Sequence, residues 1–398
     1  MMQQKWLLAA LLALAGLGVY AIYSSSSADY GWSLAFRQVI WCALGIVAAY
    51  VMMRVRLKTL SAFAPLLYAA AMLILIVVLV AGRGPLGTRR WFDLSLFRFQ
   101  PSEIAKIAVL LMLSRYLSDK GAIRDSLKSV MAVFAIVAVP AALILNEPDL
   151  GTAVVVGFLA FPLLYAAGLD SLLMLLLLSP LVALVCAWEV VAWVVFVALL
   201  VTIVVFGRFK TSLIALVFGV NFMVYSMAPR LWNSLAPYQQ GRVLAFLNPD
   251  NYRFGAGFQI IQSKIAIGSG GFAGKGLFQG TQKALGLVPA QHTDFIFSLI
   301  GEELGFLGGA GVLLLLLFVV YRIYRIAGSV RSRFAMYFCF GFAGLILIQT
   351  FINVGMTLGI TPVTGLPLPF VSYGGSQMMV FWGGMGIVLG SSASRKEY

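Results

Sequence analysis

Histidine occurs once in these 398 residues and cysteine three times. Acidic residues number 14 against 28 lysines and arginines, and all charged residues together make up 11% of the chain. The three cysteines, Cys42, Cys186 and Cys339, are scattered through apolar stretches, which excludes a disulfide framework. With a single histidine the chain also lacks any metal-ligand motif. No Walker motif, nucleotide fingerprint or nucleophile elbow is present, which argues against an ATP-driven pump. No nucleic-acid motif accompanies the net charge of +14, so the excess of cations is read as membrane topology and headgroup contact.

What the chain has in abundance is apolar length. It is 61% hydrophobic, with a mean hydropathy of +0.97. A soluble domain could not keep that much apolar surface from water. Continuous apolar runs long enough to cross a hydrocarbon layer of roughly 30 Å recur along the chain, and their continuity argues against a β-barrel. The expected class is all-α, a polytopic membrane protein in one domain, 1–398. Spans are expected near 6–23, 36–53, 60–81, 101–117, 128–145, 150–168, 171–187, 190–206, 211–229, 295–321, 334–354 and 369–391, twelve in all. Because more spans follow at once, the stretch from Lys5 to Ala28 reads as a first span rather than a signal peptide.

Orientation follows from the basic residues in alternate loops. Lys5; Arg54, Arg56 and Lys58; Arg115, Lys120, Arg124 and Lys128; Arg208 and Lys210; Arg322, Arg325, Arg331 and Arg333; and Arg395 and Lys396 share one side, assigned to the cytoplasm. Two loops of the opposite side are unexpectedly basic. Arg83, Arg89, Arg90 and Arg98 lie in one; Arg230, Arg242, Arg253, Lys264, Lys275 and Lys283 lie in the glycine-rich loop 230–294. Positive charge kept outside against the usual bias asks for an anionic ligand there. A loop of that length in a compact protein is commonly functional.

Several residues could carry chemistry. Asp294 follows His292 and Thr293 where the long loop meets an apolar helix. It suits either a helix cap or a general base, being ionised at neutral pH. Glu103 and Lys106 are spaced i, i+3 just inside the membrane and are expected to pair, as structure or as the lining of a cavity for a polar group. Asp149 sits in the turn Asn146-Glu147-Pro148-Asp149-Leu150-Gly151-Thr152, as turn former and cap or as a site residue. Residues 353–376, rich in proline and glycine and holding Ser372, read as broken backbone, which at membrane depth is tolerated against protein or a cavity. These residues leave two classes open: a transporter with an intramembrane ion pair, or an enzyme acting on a lipid-linked substrate.

Taken together the motifs resemble the SEDS family of shape, elongation, division and sporulation proteins (the RodA/FtsW proteins). They are Gly87-Thr88-Arg89-Arg90-Trp91, Gln100-Pro101-Ser102-Glu103-Ile104-Ala105-Lys106, Pro148-Asp149-Leu150-Gly151-Thr152, Gly274-Lys275-Gly276 with Gly280-Thr281-Gln282, His292-Thr293-Asp294-Phe295-Ile296-Phe297, Gly301-Glu302-Glu303-Leu304-Gly305 and Pro367 through Ser376, collinear over about 85–390. The resemblance implies a peptidoglycan glycosyltransferase of the cytoplasmic membrane. It would polymerise lipid II at the outer face beside a class B penicillin-binding transpeptidase and the elongation-complex membrane proteins. It assigns catalysis to Asp294. It also matches the family's ion pair to Glu103 and Lys106 and its turn aspartate to Asp149. Arg89, Arg90, Arg242 and Lys275 are the expected pyrophosphate ligands, or a divalent cation, Mg2+ or Mn2+, takes that part. His292 is expected to organise the loop, and Glu302 and Glu303 to support it. The short amino-terminal tail and Gly280-Thr281-Gln282 favour the elongation type over the division type. A lipid II flippase and an activating scaffold are the rival readings. The family usually has about ten spans, so 169–229, with three expected helices, is expected to hold an extra pair.

Overall fold

The computed structural model describes residues 2–26, 32–84, 89–93, 98–120, 127–207, 209, 211–252, 255–281 and 291–393. Arg124, Arg208, Lys210, Arg253, Lys283, Arg395, Lys396, Gly87, Thr88 and Gln282, all named above, lie outside them. The chain folds as a helical bundle. Its first half runs α1 (Met2–Ser26), α2 (Ser33–Arg54), α3 (Leu57–Ala81), α4 (Pro101–Lys120), α5 (Leu127–Asn146), α6 (Leu150–Phe158) and α7 (Ala160–Ala166). Next come α8 (Ser171–Cys186), α9 (Val190–Gly207) and α10 (Thr211–Ser234), then α11 (Pro237–Leu247) and α12 (Ala256–Ser269). The chain closes with α13 (Ile296–Glu303), α14 (Gly305–Ala327), α15 (Arg333–Leu358) and α16 (Gly375–Ala393). The only strands among the described residues, β1 (Phe92–Asp93) and β2 (Arg98–Phe99), pair antiparallel between α3 and α4.

Among the described residues eight helices are long and apolar enough to cross a membrane, and the stretches 150–166 and 171–186 are shorter apolar helices. This is a multi-pass helical membrane protein. A continuous core runs through α1 to α7 and α13 to α16, with Trp382, Phe338, Phe342 and Phe381 among its largest buried side chains. The three helices expected over 169–229 are present, as α8, α9 and α10. They keep a separate core of Leu176, Ala183, Phe196, Leu200, Val204 and Val217. Inside it the Asn221 amide donates to Ser179 Oγ at 2.8 Å. Cys42, Cys186 and Cys339 are free thiols.

Several boundaries differ from the sequence reading, among them the span expected at 150–168, which is the two helices α6 and α7. The span expected at 295–321 is two helices. The chain breaks at Gly305, whose φ is +64°, and an added Cβ there would collide with Gly274 N. The amides of Phe306 and Leu307 instead donate to the carbonyls of Gly271 and Phe272, so the preceding loop supplies acceptors that α13 does not. The last span begins at Gly375 rather than 369, because Phe370 sits at φ +63° and the Leu368 amide is taken by Ser372 Oγ, so the chain there is not helical. The region 230–294 is not simply loop, since it contains the end of α10 and all of α11 and α12.

Candidate functional site

Three consecutive carbonyls ahead of α13 are held by side chains and backbone from the broken segment and α15. Tyr373 N donates to His292 O at 2.9 Å, Ser372 Oγ to Thr293 O at 2.7 Å, and Asn353 Nδ2 to Asp294 O at 2.9 Å. The holders are themselves fixed. Ser372 Oγ accepts from Leu368 N at 2.7 Å, and Asn353 Nδ2 also donates to Leu366 O at 2.6 Å. The next residue, Phe295, is buried with Ile260, Met356 and Val363. The irregular backbone that the sequence marked is therefore a cradle for His292-Thr293-Asp294, satisfied by protein rather than by lipid. The Asp294 carboxylate lies over Gly365, where φ is +75° and an added Cβ would come within 3.3 Å of Oδ2. Phe295, not Asp294, occupies the cap position of α13, and it makes no side-chain cap bond.

Burial pushes the Asp294 carboxyl up from 3.8 to about 6, against the pull of the Arg242 guanidinium and a hydrogen bond from Thr293. The Asp149 charge adds to the rise and Arg90 opposes it. Asp294, Arg242, Arg90 and Asp149 thus form one electrostatic cluster. Burial lowers both Arg242 and His292, so His292 is neutral near pH 7. Its ring stands edge-on to Tyr373, with centroids 5.9 Å apart.

Arg90 fixes the far wall of the cluster. Its Nε donates to Glu147 O at 2.9 Å, and its guanidinium also reaches Pro148 O and the Tyr238 hydroxyl. Tyr238 donates to the same Pro148 carbonyl at 2.8 Å, and Arg242 lies over its ring. Asp149 caps α6, accepting from Thr152 N at 3.2 Å and Thr152 Oγ1 at 3.0 Å, and from Gln100 Nε2 at 3.1 Å. Glu147 is fully buried and neither carboxylate oxygen has a hydrogen-bond partner. Burial, and then Asp149, raise its carboxyl to about 8 against the pull of Arg90, so it is protonated at neutral pH. Arg90, Pro148, Tyr238, Arg242 and Thr364 line a cavity at this place.

The remaining expected site residues are placed elsewhere. Lys106 Nζ bonds Glu103 Oε1 at 2.7 Å, with both side chains buried, and also donates to Gln349 Oε1 at 3.1 Å. Gln349 passes the connection on to Pro367 O at 2.8 Å, which ties this pair to the cradle. Lys275 pairs with Glu302 at 2.7 Å and donates to Thr281 Oγ1 at 2.6 Å, so its charge is already matched. Arg89 is exposed and donates to Leu79 O at 2.9 Å. Glu303 accepts from Tyr20 and Ser24, both at 2.6 Å, tying α1 to α13. Sequence reading did not single out Tyr238 or Gln100 for the site. Tyr238 offered no signal beyond its place in the loop 230–294.

Among the described residues no group of three or more His, Cys, Asp or Glu could hold a metal ion. Asp149 is committed to Thr152 and Gln100, and the cations acting on Asp294 are arginines. The described residues therefore supply no closed set of protein ligands for a divalent cation.

The cell cycle protein family model for FtsW, RodA and SpoVE matches residues 4–194 and 171–397. The peptidoglycan glycosyltransferase MrdB of Escherichia coli (strain K12) is 35% identical over 97% of this chain and 92% of its own. Stage V sporulation protein E of Bacillus subtilis is 32% identical over 96% and 94%. A chain solved in work on the structural coordination of polymerization and crosslinking by a peptidoglycan synthase complex superposes with a TM-score of 0.72. It is 32% identical, over 99% of this chain and 98% of that one. The rod shape determining protein RodA of Thermus thermophilus gives 0.64 at 27% identity, over 98% and 96%.

Proposed function

The chain belongs to the FtsW/RodA/SpoVE family of cell cycle proteins, and from that membership we propose that it is a peptidoglycan glycosyltransferase that polymerises lipid II for cell elongation. The observation that carries the chemistry is the Asp294 carboxylate, held over Gly365 in the field of Arg242 and Arg90. With a pKa of about 6 it is ionised at neutral pH yet basic enough to take a proton from a sugar hydroxyl. Asp294 removes the proton of the acceptor 4-hydroxyl as that oxygen attacks the donor anomeric carbon. The new bond forms on the face opposite the leaving group, so configuration inverts from α to β. The bond to undecaprenyl pyrophosphate breaks, and Arg90 and Arg242 stabilise the charge that leaves with it.

The proton-accepting group and the anion-stabilising groups meet on the side of the bundle bearing the 146–149 turn and α11. The basic-loop bias of the sequence puts that side outside the cytoplasmic membrane. A class B penicillin-binding protein is the proposed partner, and the peptidoglycan synthase complex among the structural neighbours supports it. The rod shape protein among them supports the elongation role. Purified chain supplied with lipid II, alone and with that partner, is expected to yield glycan strands. Lipid II moved across a vesicle wall with no polymer formed would replace the enzyme with a flippase.

A further inference from the structure

Between α3 and α4 stands a small ribbon whose charges the proposed chemistry leaves unused. Arg83 and Trp91 form an isolated bridge, with backbone bonds of 2.9 and 3.0 Å. Phe92 pairs with Phe99, and Asp93 with Arg98. Side chains alternate across a strand, so Trp91 and Asp93 share a face, and cross-strand partners lie on the same face as each other. Arg83, Trp91, Asp93 and Arg98 therefore occupy one face, and Phe92 and Phe99 the other. The four, with Gly84, line a cavity of about 290 Å³. Arg83, Asp93 and Arg98 are exposed, and among the described residues none of them forms an ion pair.

The ribbon is wired to the site at both ends. Arg90, one residue before Trp91, holds Glu147 O and Tyr238. Gln100, two residues after Arg98, holds Asp149 through its side chain and Ser376 Oγ through its amide at 3.3 Å. Ser376 Oγ donates in turn to Arg98 O at 3.2 Å. A ligand in this cavity would sit beside, not in, the Asp294 cluster.

We propose that this face is a second recognition site, for the charged stem peptide of the lipid-linked substrate, an inference that rests on the glycosyltransferase reading. Two guanidiniums flanking one carboxylate match a ligand that carries both carboxylates and an ammonium. A stem peptide with a diamino residue is such a ligand: its carboxylates meet Arg83 and Arg98, its amine meets Asp93, and its aliphatic parts lie on the Trp91 indole. Pyrophosphate offers only negative charge and leaves Asp93 without a cationic partner, as does a headgroup whose only charge is its phosphate.

The test uses the full chain in detergent and the double substitution Arg83→Gln with Arg98→Gln. On lipid II with its complete stem peptide, KM is expected to rise about tenfold with kcat unchanged, the effect of losing charged hydrogen bonds to a bound group. On a lipid-linked disaccharide without peptide, wild type and variant are expected to share one KM. By calorimetry, soluble disaccharide-pentapeptide is expected to bind the wild type and not the variant, while inorganic pyrophosphate binds both alike. An unchanged KM on complete lipid II would overturn the proposal, as would an equal loss on the peptide-free substrate. Loss of pyrophosphate binding, or of binding to vesicles of anionic phospholipid, would assign the arginines to phosphate instead. Should the wild type polymerise nothing, the glycosyltransferase reading fails, and peptide binding alone still decides the ribbon.

Discussion

The side-chain amide of Asn353 donates to the main-chain carbonyl of Asp294 at 2.9 Å and, in the same geometry, to that of Leu366 at 2.6 Å. One buried amide thus holds the proposed base and the broken segment together. Asn353→Ala removes that donor from both carbonyls and lets Asp294 drift from its acceptor. Its kcat is expected to fall about tenfold, or about 1.4 kcal/mol, with little change in KM. A change confined to KM would show that Asn353 binds substrate rather than places the base.

The pH dependence follows from the Asp294 environment. Burial raises its pKa to about 6, so the base is lost to protonation as the pH falls through that value. The acid limb of kcat/KM is expected near pH 6, not near 4. The Arg242 guanidinium opposes that rise more strongly than any other group. Arg242→Gln should therefore move the limb to higher pH as well as slowing departure of the pyrophosphate. A limb that stays in place would remove Arg242 from the field of Asp294.

Glu147 gives a stability prediction of the opposite kind to an ion-paired carboxylate. Its folded-state pKa, about 8, lies above the ordinary 4.5, so the folded state holds a proton that the unfolded chain releases. Its contribution is fully present below pH 4.5 and is lost as pH rises through about 8. Glu147→Gln keeps the neutral shape. The melting temperature of the variant is expected to match wild type at acid pH and exceed it at pH above about 8. A variant less stable than wild type throughout would mean that Glu147 is charged in the fold.

The Glu103–Lys106 pair is closed to solvent, with side-chain exposures of 4% and 0%. Removing one partner strands a buried charge, so Lys106→Met is expected to cost roughly 3–5 kcal/mol of stability. Replacing both residues with leucine should recover most of that loss. Chemical denaturation in detergent reads the difference, and equal loss in single and double variants would deny the coupling.

Much of this was legible in the sequence because hydrophobic length and rare charge leave few choices. The apolar stretches were visible as spans, and the three helices of 169–229 were found, with Glu189 between the first two and Gly207 ending the second. The i, i+3 spacing of Glu103 and Lys106 was enough to pair them. The break at Gly305 was not readable, because what makes it tolerable is a loop well upstream, where the carbonyls of Gly271 and Phe272 take the amides of Phe306 and Leu307. The fate of the basic residues was equally hidden. Charge alone grouped Lys275 and Arg89 with Arg90 and Arg242, yet Glu302 neutralises Lys275 and Arg89 turns back to α3. Composition counts cations; only packing says which ones remain unmatched beside Asp294.

The mechanism stands on Asp294 as the base, and Asp294→Asn in the purified chain tests it most directly. The amide keeps the volume and the cradle but cannot accept the proton. With expression and melting temperature near wild type, polymerisation of lipid II is expected to fall below detection. Glycan strands formed at the wild-type rate by that variant would contradict the mechanism.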